Sequence, residues 1–397
     1  MKNKIVGLFI CMLFFTTIFP LNVSSVNSCE KNVLDRFDVL LTYGSTITVD
    51  DDGPADFSNI QDAINASSAG DTVFVFNGTY NENIIVDKSI NLTGESKDST
   101  IINSSSDRNI VNLSADNVQM NGFTVQRDGN YGYYPNLYVK GANCLIFDNV
   151  FSIDNAYNYP EGLFVSSSGN IIHNNSFVKT GLIVSPNDLE ENFIVDNIVN
   201  GEPLVYLDSV SDVIIDSAGQ VVMRFCNNVT ISKVEIENTP CGVMFFNCDN
   251  CELIDSVIRN NDDGVVCRKS DGIVISGNNI QGNIEGIFML NCIDVIITGN
   301  DIHLNSQCIY SQYCSKVDIN LNNLYSNGFC LNLVLNDLDR INQNNFGNNI
   351  RNVFSLMCSL NSYDNNYWDR PRYFPKLIFE FPRINFDWHP AKSPFEI

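Results

Sequence analysis

Three apolar columns, each advancing by 22 residues in one shared register, leave this chain very few folds to choose from. The first is Ile231, Leu253, Ile275, Ile297, Ile319 and Ile341; the second is Ile236, Ile258, Ile280, Ile302, Leu324 and Phe346; the third is Val243, Val265, Ile287, Ile309, Leu331 and Val353. A fixed period of this kind marks a stacked repeat architecture. Within a repeat, Ile275 and Ile280 bracket Ser276-Gly277-Asn278-Asn279, and Gly286-Ile287-Phe288 opens the next apolar piece, so no stretch is long enough for a helix. A unit of short strands cannot bury its apolar face alone, and copies must stack with strands about 4.8 Å apart. The expected fold is all-β, a single-stranded right-handed parallel β-helix.

Asparagine punctuates the repeat. Asn278, Asn300, Asn322 and Asn344 form one column, and Asn261, Asn283, Asn305, Asn327 and Asn349 form another. Asn tolerates the left-handed backbone of a sharp corner, and stacked amides can hydrogen-bond along the axis of a solenoid. Both columns are therefore read as structural.

Around the repeat the chain divides into four parts. Met1-Lys2-Asn3-Lys4, the apolar run Ile5 to Phe19 and the small residues Val23, Ser24 and Ser25 read as a secretory signal peptide over residues 1–28. That run is too short for an ordinary membrane span, and no later one is long enough, so no transmembrane span is expected after signal removal. Residues 29–69 hold a leader and a capping helix, with Phe57, Ile60, Ala63 and Ile64 at helical spacing and Asp56 or Ser58 as its cap. The solenoid is expected over residues 70–358, looser between Asn121 and Leu207, and residues 359–397, dense in aromatics and prolines, as an irregular aromatic cap.

Asp and Glu outnumber Lys and Arg 46 to 23, a net charge of −23 that repels nucleic acid and anionic membranes. Hydrophobic residues still make up 44% of the chain, so the acidity belongs to the surface of a packed body.

Two segments carry a family likeness. Thr46-Ile47-Thr48-Val49-Asp50-Asp51-Asp52-Gly53-Pro54-Ala55-Asp56-Phe57, with Ile60-Gln61-Asp62-Ala63-Ile64 after it, resembles the opening of pectin-lyase-like surface proteins. Asn200-Gly201-Glu202-Pro203-Leu204-Val205-Tyr206-Leu207, with Ala218-Gly219-Gln220-Val221, resembles the NosD-like family. The resemblance implies a pectin-lyase-like solenoid of archaeal type, secreted or at the cell surface, and by family name a copper-handling accessory role; no ligand motif carries over residue by residue. Polygalacturonases of this fold pair separate Asp motifs with Gly-His-Gly and Arg-x-Lys. Here Asn260-Asn261-Asp262-Asp263-Gly264 matches one piece alone. Pectate lyases take a proton with Arg or Lys, and Arg268-Lys269 is the one basic doublet of the repeat region.

The residues offer four chemical constellations. Cys226, Cys248, Cys292, Cys314 and Cys358 share a column, read either as a ladder of buried thiols or as a source of disulfides between adjacent coils. Asp249 and Asp271, one coil apart with Cys248 beside the first, are the candidate cation ligands, calcium being the ion such a pair attracts. Asp263 and Glu285, also one coil apart, are the candidate catalytic carboxylates, with backbones about 5 Å apart, near the separation used by retaining glycosidases. Tyr131, Tyr133, Tyr134, Tyr157 and Tyr159, with Asp128, Asp154 and Glu161, could form a glycan platform on the loosened corners. The expected function is structural or carbohydrate-binding, with a cell-wall or extracellular glycan as partner. The alternatives are a polysaccharide lyase or glycoside hydrolase, and copper handling.

Overall fold

The computed structural model describes residues 44–128, 134–154, 161–185, 192–372 and 374–397. The three apolar columns stack as parallel strands in the register that the 22-residue period demands, with Ile231 beside Leu253, Ile236 beside Ile258, and Val243 beside Val265 and then Ile287. All point inward and are fully buried along most of their length. The result is the expected parallel β-helix, right-handed as parallel strand-to-strand connections almost always are.

Both asparagine columns form ladders, but not by the backbone geometry expected of them. Asn278, Asn300, Asn322 and Asn344 are buried, and each donates its Nδ2 to Oδ1 of the next, the last to Asn366, at 3.0 to 3.1 Å. Asn261 through Asn349 repeat the pattern at 3.0 to 3.2 Å. The left-handed backbone belongs to the residue just before each ladder position: Gly277, Gly299, Leu321 and Gln343 before the first column, and Asn260, Gly282, Leu304, Ser326 and Asn348 before the second. The left-handed residue reverses the chain direction, and the residue after it is thereby aimed inward. Two further corners follow the same rule. Asn247, Lys269, Asn291, Tyr313, Leu335 and Met357 precede the column Cys248, Ser270, Cys292, Cys314, Asn336 and Cys358. Asn250, Gly272, Asp294, Lys316, Leu338 and Leu360 precede Cys251, Ile273, Val295, Val317, Asp339 and Asn361. The cysteine column is thus a third ladder, and all eleven cysteines among the described residues are buried free thiols.

Asp339 is the acidic member of the fourth column, fully buried, accepting from the Val317 amide at 3.0 Å and from Asn336 Nδ2 at 3.0 Å. Burial pushes its carboxyl from 3.8 up to about 7. Between those two values the folded state holds a proton that the unfolded chain has released, so stability present at low pH is lost as pH rises through this window. Asp339→Asn is expected to remove on the order of 4 kcal/mol of that fall, seen as a flatter plot of urea midpoint against pH.

Strand pairing begins at Thr46–Val49, against Thr72–Val75, and in this half the coils are uneven: Leu92, Met120, Ile146, Ile172 and Ile194 lie in one row. The capping helix spans Ile60–Ala66 and buries Ile60, Ala63 and Ile64. Its cap is Asn59, whose Oδ1 accepts from the Asp62 amide at 2.8 Å; Asp56 instead bonds the backbone and hydroxyl of Thr48. A short antiparallel turn, Ile198–Val199 against Glu202–Pro203, separates two hydrophobic cores, Val49 to Leu204 and Ile215 to Ile378. The buried side chain of Gln220 stitches the seam, bonding the Leu182 amide and carbonyl and the Cys241 carbonyl, each at 2.9 Å.

The C-terminal end is more regular than its prolines suggest. Coil pairing continues to Trp368, which stacks on Phe346 at 4.3 Å. An antiparallel hairpin then follows, Lys376–Phe381 against Arg383–Asp387. Pro375 precedes its first strand and Pro382 occupies its turn, both places where a missing N–H costs nothing. Asp387 ends the first asparagine ladder, accepting from the Asn366 amide at 3.0 Å and from Trp368 Nε1 at 2.9 Å.

Candidate functional site

Six stacked strands, Cys241–Phe246, Asp263–Arg268, Glu285–Leu290, Gln307–Gln312, Phe329–Val334 and Arg351–Leu356, form the longest regular wall of the solenoid. Alternation sends the columns of Val265 and Cys267 into the core and those of Val266 and Arg268 outward; the Asp263 column, ahead of Gly264, is also outside the main core, and two of these three outer rows concern the site. One row is Cys241, Asp263, Glu285, Gln307, Phe329 and Arg351; the other is Met244, Val266, Phe288, Tyr310, Asn332 and Phe354. Toward the seam, Val222, Cys241, Met244 and Val266 are buried as a small cluster of their own outside the main core.

The predicted pair Asp263 and Glu285 are register partners in this wall. Gln307 Nε2 donates to Glu285 Oε1 at 2.9 Å and Asn332 Nδ2 to Gln307 Oε1 at 3.0 Å, so carboxylates and amides form one linked polar row. Beside it the rings of Phe288 and Tyr310 lie 5.5 Å apart, with the Arg268 guanidinium 5.2 Å from the Phe288 ring. Burial, then the charges of Glu285 and Asp262, push the Asp263 carboxyl up to about 7, against the pull of Arg268. Burial also raises Glu285, again opposed by Arg268. Glu161 reaches about 7 through burial and the nearby charge of Asp262. The charge of Asp262 thus acts on both Asp263 and Glu161, and Asp263, Glu285 and Glu161 are all raised above the ordinary carboxylate range. Such groups can accept from or donate to sugar hydroxyls, or pass a proton.

The predicted glycan platform divides. Glu161, expected on the tyrosine corners, is half-buried and feels the charge of Asp262, the neighbour of Asp263. Asp128 and Asp154 stand where two corners begin and share Gln126, whose Nε2 lies 3.0 Å from a carboxylate oxygen of each. Tyr134 is exposed, while Tyr131, Tyr133, Tyr157 and Tyr159 lie outside the described residues. Asp262, Gln307, Phe288 and Tyr310 were not singled out from the sequence. The readable signal was a 22-residue column, Met244 to Phe354, that turns aromatic and polar where a core column would stay aliphatic.

The predicted cation set does not converge. Asp249 and Asp271 are paired one coil apart, but both are exposed, whereas Cys248 is fully buried with its thiol in contact with Cys226 and Cys251. Cys248 does not join them because the corner residue is Asn247, and the position after it turns inward. Among the described residues, the three acids whose carboxylates approach one another closely are Asp50, Asp51 and Asp52.

Fold and site together define a parallel β-helix with paired carboxyls, Asp263 and Glu285, on its outer wall. Residues 199–376 match the family model described as periplasmic copper-binding protein (NosD). Comparison with curated proteins gave no match. Similar solved structures include the A-module of a mannuronan C-5 epimerase from Azotobacter vinelandii, 14% identical with a TM-score of 0.35, covering 77% of this chain and 87% of that one. Pectin methylesterase from carrot is 13% identical with a TM-score of 0.31, covering 72% and 84%. The Dettilon tailspike protein is 12% identical with a TM-score of 0.35, covering 80% and 71%.

Copper, which the family description implies, finds no convergent donor set among the described residues. Burial raises the Cys241 and Cys267 thiols, the reverse of what a thiolate ligand needs; contact with Cys248 lowers Cys226 and Cys251, but all three are sealed in the core. The three histidines are apart: His173 stacks on Phe147, His303 on Tyr325, and His389 pairs with Asp364.

Proposed function

We propose that this protein works outside the cytoplasm as a glycan-binding solenoid, with the outer wall around Asp263 and Glu285 as its binding surface. The observation that carries the reading is the row Asp263, Glu285 and Gln307, with Asn332 bonded to Gln307 from the adjoining row that holds the Phe288 and Tyr310 rings. Rings take the apolar faces of sugars while carboxylates and amides take their hydroxyls. The acidity of the row favours neutral or amino sugars over uronates. The signal-like N-terminal segment and the periplasmic family description support the location, and no helix among the described residues is long and apolar enough to cross a membrane.

A second reading, glycoside hydrolysis, is favoured by one further feature: the Asp263 carboxyl ionises near neutrality beside a second carboxyl in register, the condition for a proton donor next to a base. An array of immobilised neutral, amino-sugar and uronic-acid oligosaccharides, with and without calcium, tests the binding reading, with reducing ends followed in parallel. Selective retention without turnover is the expected result. Turnover would favour hydrolysis, and copper retained at stoichiometry after dialysis would favour the accessory role.

A further inference from the structure

The two ends of the solenoid are finished in opposite ways. At the start, the helix Ile60–Ala66 turns Ile60, Ala63 and Ile64 inward and leaves Asp62 and Asn65 in solvent. This is what a terminal unit of a stacked protein requires, because a polar outer face keeps it soluble. At the other end the hairpin is inverted. Its inner face carries Ile378, Glu380 and Asp387, all buried. Glu380 accepts from Ser355 Oγ at 3.0 Å and Asn361 Nδ2 at 3.1 Å, so the polar groups of this strand are used against the last coil. Leu377, Phe379, Phe381, Ile384 and Trp388 are left exposed, Phe379 at 71%, Phe381 at 68% and Trp388 at 62%. An apolar face of this kind on a terminal unit calls for a covering surface.

The charge around it identifies that surface. Between Arg370 and Ile397 stand five cations, Arg370, Arg372, Lys376, Arg383 and Lys392, against three acids, in a chain of net charge −23. Two of those acids, Glu380 and Asp387, are buried. The cations are close enough that Arg372 and Arg370, after burial, hold the Lys376 ammonium below its ordinary value. The cations of this segment are a local exception to a chain that otherwise repels anionic membranes, and a second copy meeting it hairpin to hairpin would set like charges against each other. Exposed aromatic side chains in a segment with a local excess of Arg and Lys are the chemistry of the interface of an anionic bilayer, where rings enter the headgroup boundary and cations meet lipid phosphates.

We propose that the C-terminal hairpin is a peripheral membrane anchor that seats Phe379, Phe381 and Trp388 in the interface of an anionic bilayer and holds the solenoid at its surface. This is independent of what the outer wall binds.

The chain carries its own reporter, because Trp368 is buried and Trp388 is the other of its two tryptophans. The full chain is mixed with phosphatidylglycerol vesicles, and its emission is compared with and without brominated acyl chains. A blue shift, with quenching by the brominated lipid, is expected; neither is expected with phosphatidylcholine vesicles. Phe379→Ser with Phe381→Ser should weaken the partitioning read by Trp388 at least about tenfold, and Arg383→Glu should weaken it only on anionic vesicles. Because the readout is local to the hairpin, the apolar segment Ile5 to Phe19 cannot imitate it. Unchanged emission on anionic vesicles would overturn the proposal. So would a shift that grows with protein concentration without lipid, which would assign the face to a second copy, or an equal shift on phosphatidylcholine.

Discussion

Asp263→Asn combined with Glu285→Gln is expected to lower affinity for the best neutral oligosaccharide on the array about a hundredfold, since each charge-assisted hydrogen bond lost is worth about 1.5 kcal/mol or more. Isothermal titration calorimetry reads the loss. The parent protein should bind this neutral sugar more tightly as pH rises through about 7, where Asp263 ionises and becomes a full acceptor. The double variant should show no such dependence. The groups that set this titration are Glu285, Asp262 and Arg268, with Cys241 beside them, so removing two charges from the cluster also relieves repulsion. Folding stability near pH 8 should therefore be kept or raised, which separates lost binding from lost structure. Unchanged affinity would move the glycan off this wall, and loss of reducing-end release in the same variant would instead establish hydrolysis.

Asn300→Ala should destabilise the solenoid by about 4 kcal/mol, a large fraction of the margin of an ordinary domain. Asn300 is fully buried in the middle of its ladder; its Oδ1 accepts from the Asn278 amide and side chain, and its Nδ2 donates to the Ile275 carbonyl at 2.8 Å. Truncation leaves those partners unsatisfied where water cannot reach them. Urea denaturation reads the effect as a fall in midpoint. A cost below about 1 kcal/mol would mean that the ladders only accompany a fold held by its apolar columns.

The contrast between these two positions shows what was legible beforehand. Ile231, Ile236 and Val243 and their 22-residue successors specify the stacking, because parallel strands in register can bury such columns in one way only. The same arithmetic paired Asp263 with Glu285 and aligned the ladders, since registry between coils is a property of spacing. Backbone handedness was not legible from residue type: Leu304, Leu321 and Leu338 take the left-handed corners beside Gly282, Gly299 and Gly272 because the coil imposes that conformation whatever stands there.

The sequence by itself thus determined the repeat, the inward columns and the one-coil pairs, all of which depend on separations along the chain. Tertiary structure alone decided what depends on approach between distant segments. It brought Glu161 within reach of the charge of Asp262 across 101 residues of chain, turned Cys248 away from Asp249 and Asp271, and faced the apolar side of the last hairpin outward. Side-chain direction at a corner, and burial at the end of a stack, are set by the neighbouring coil or its absence, and a linear spacing carries neither.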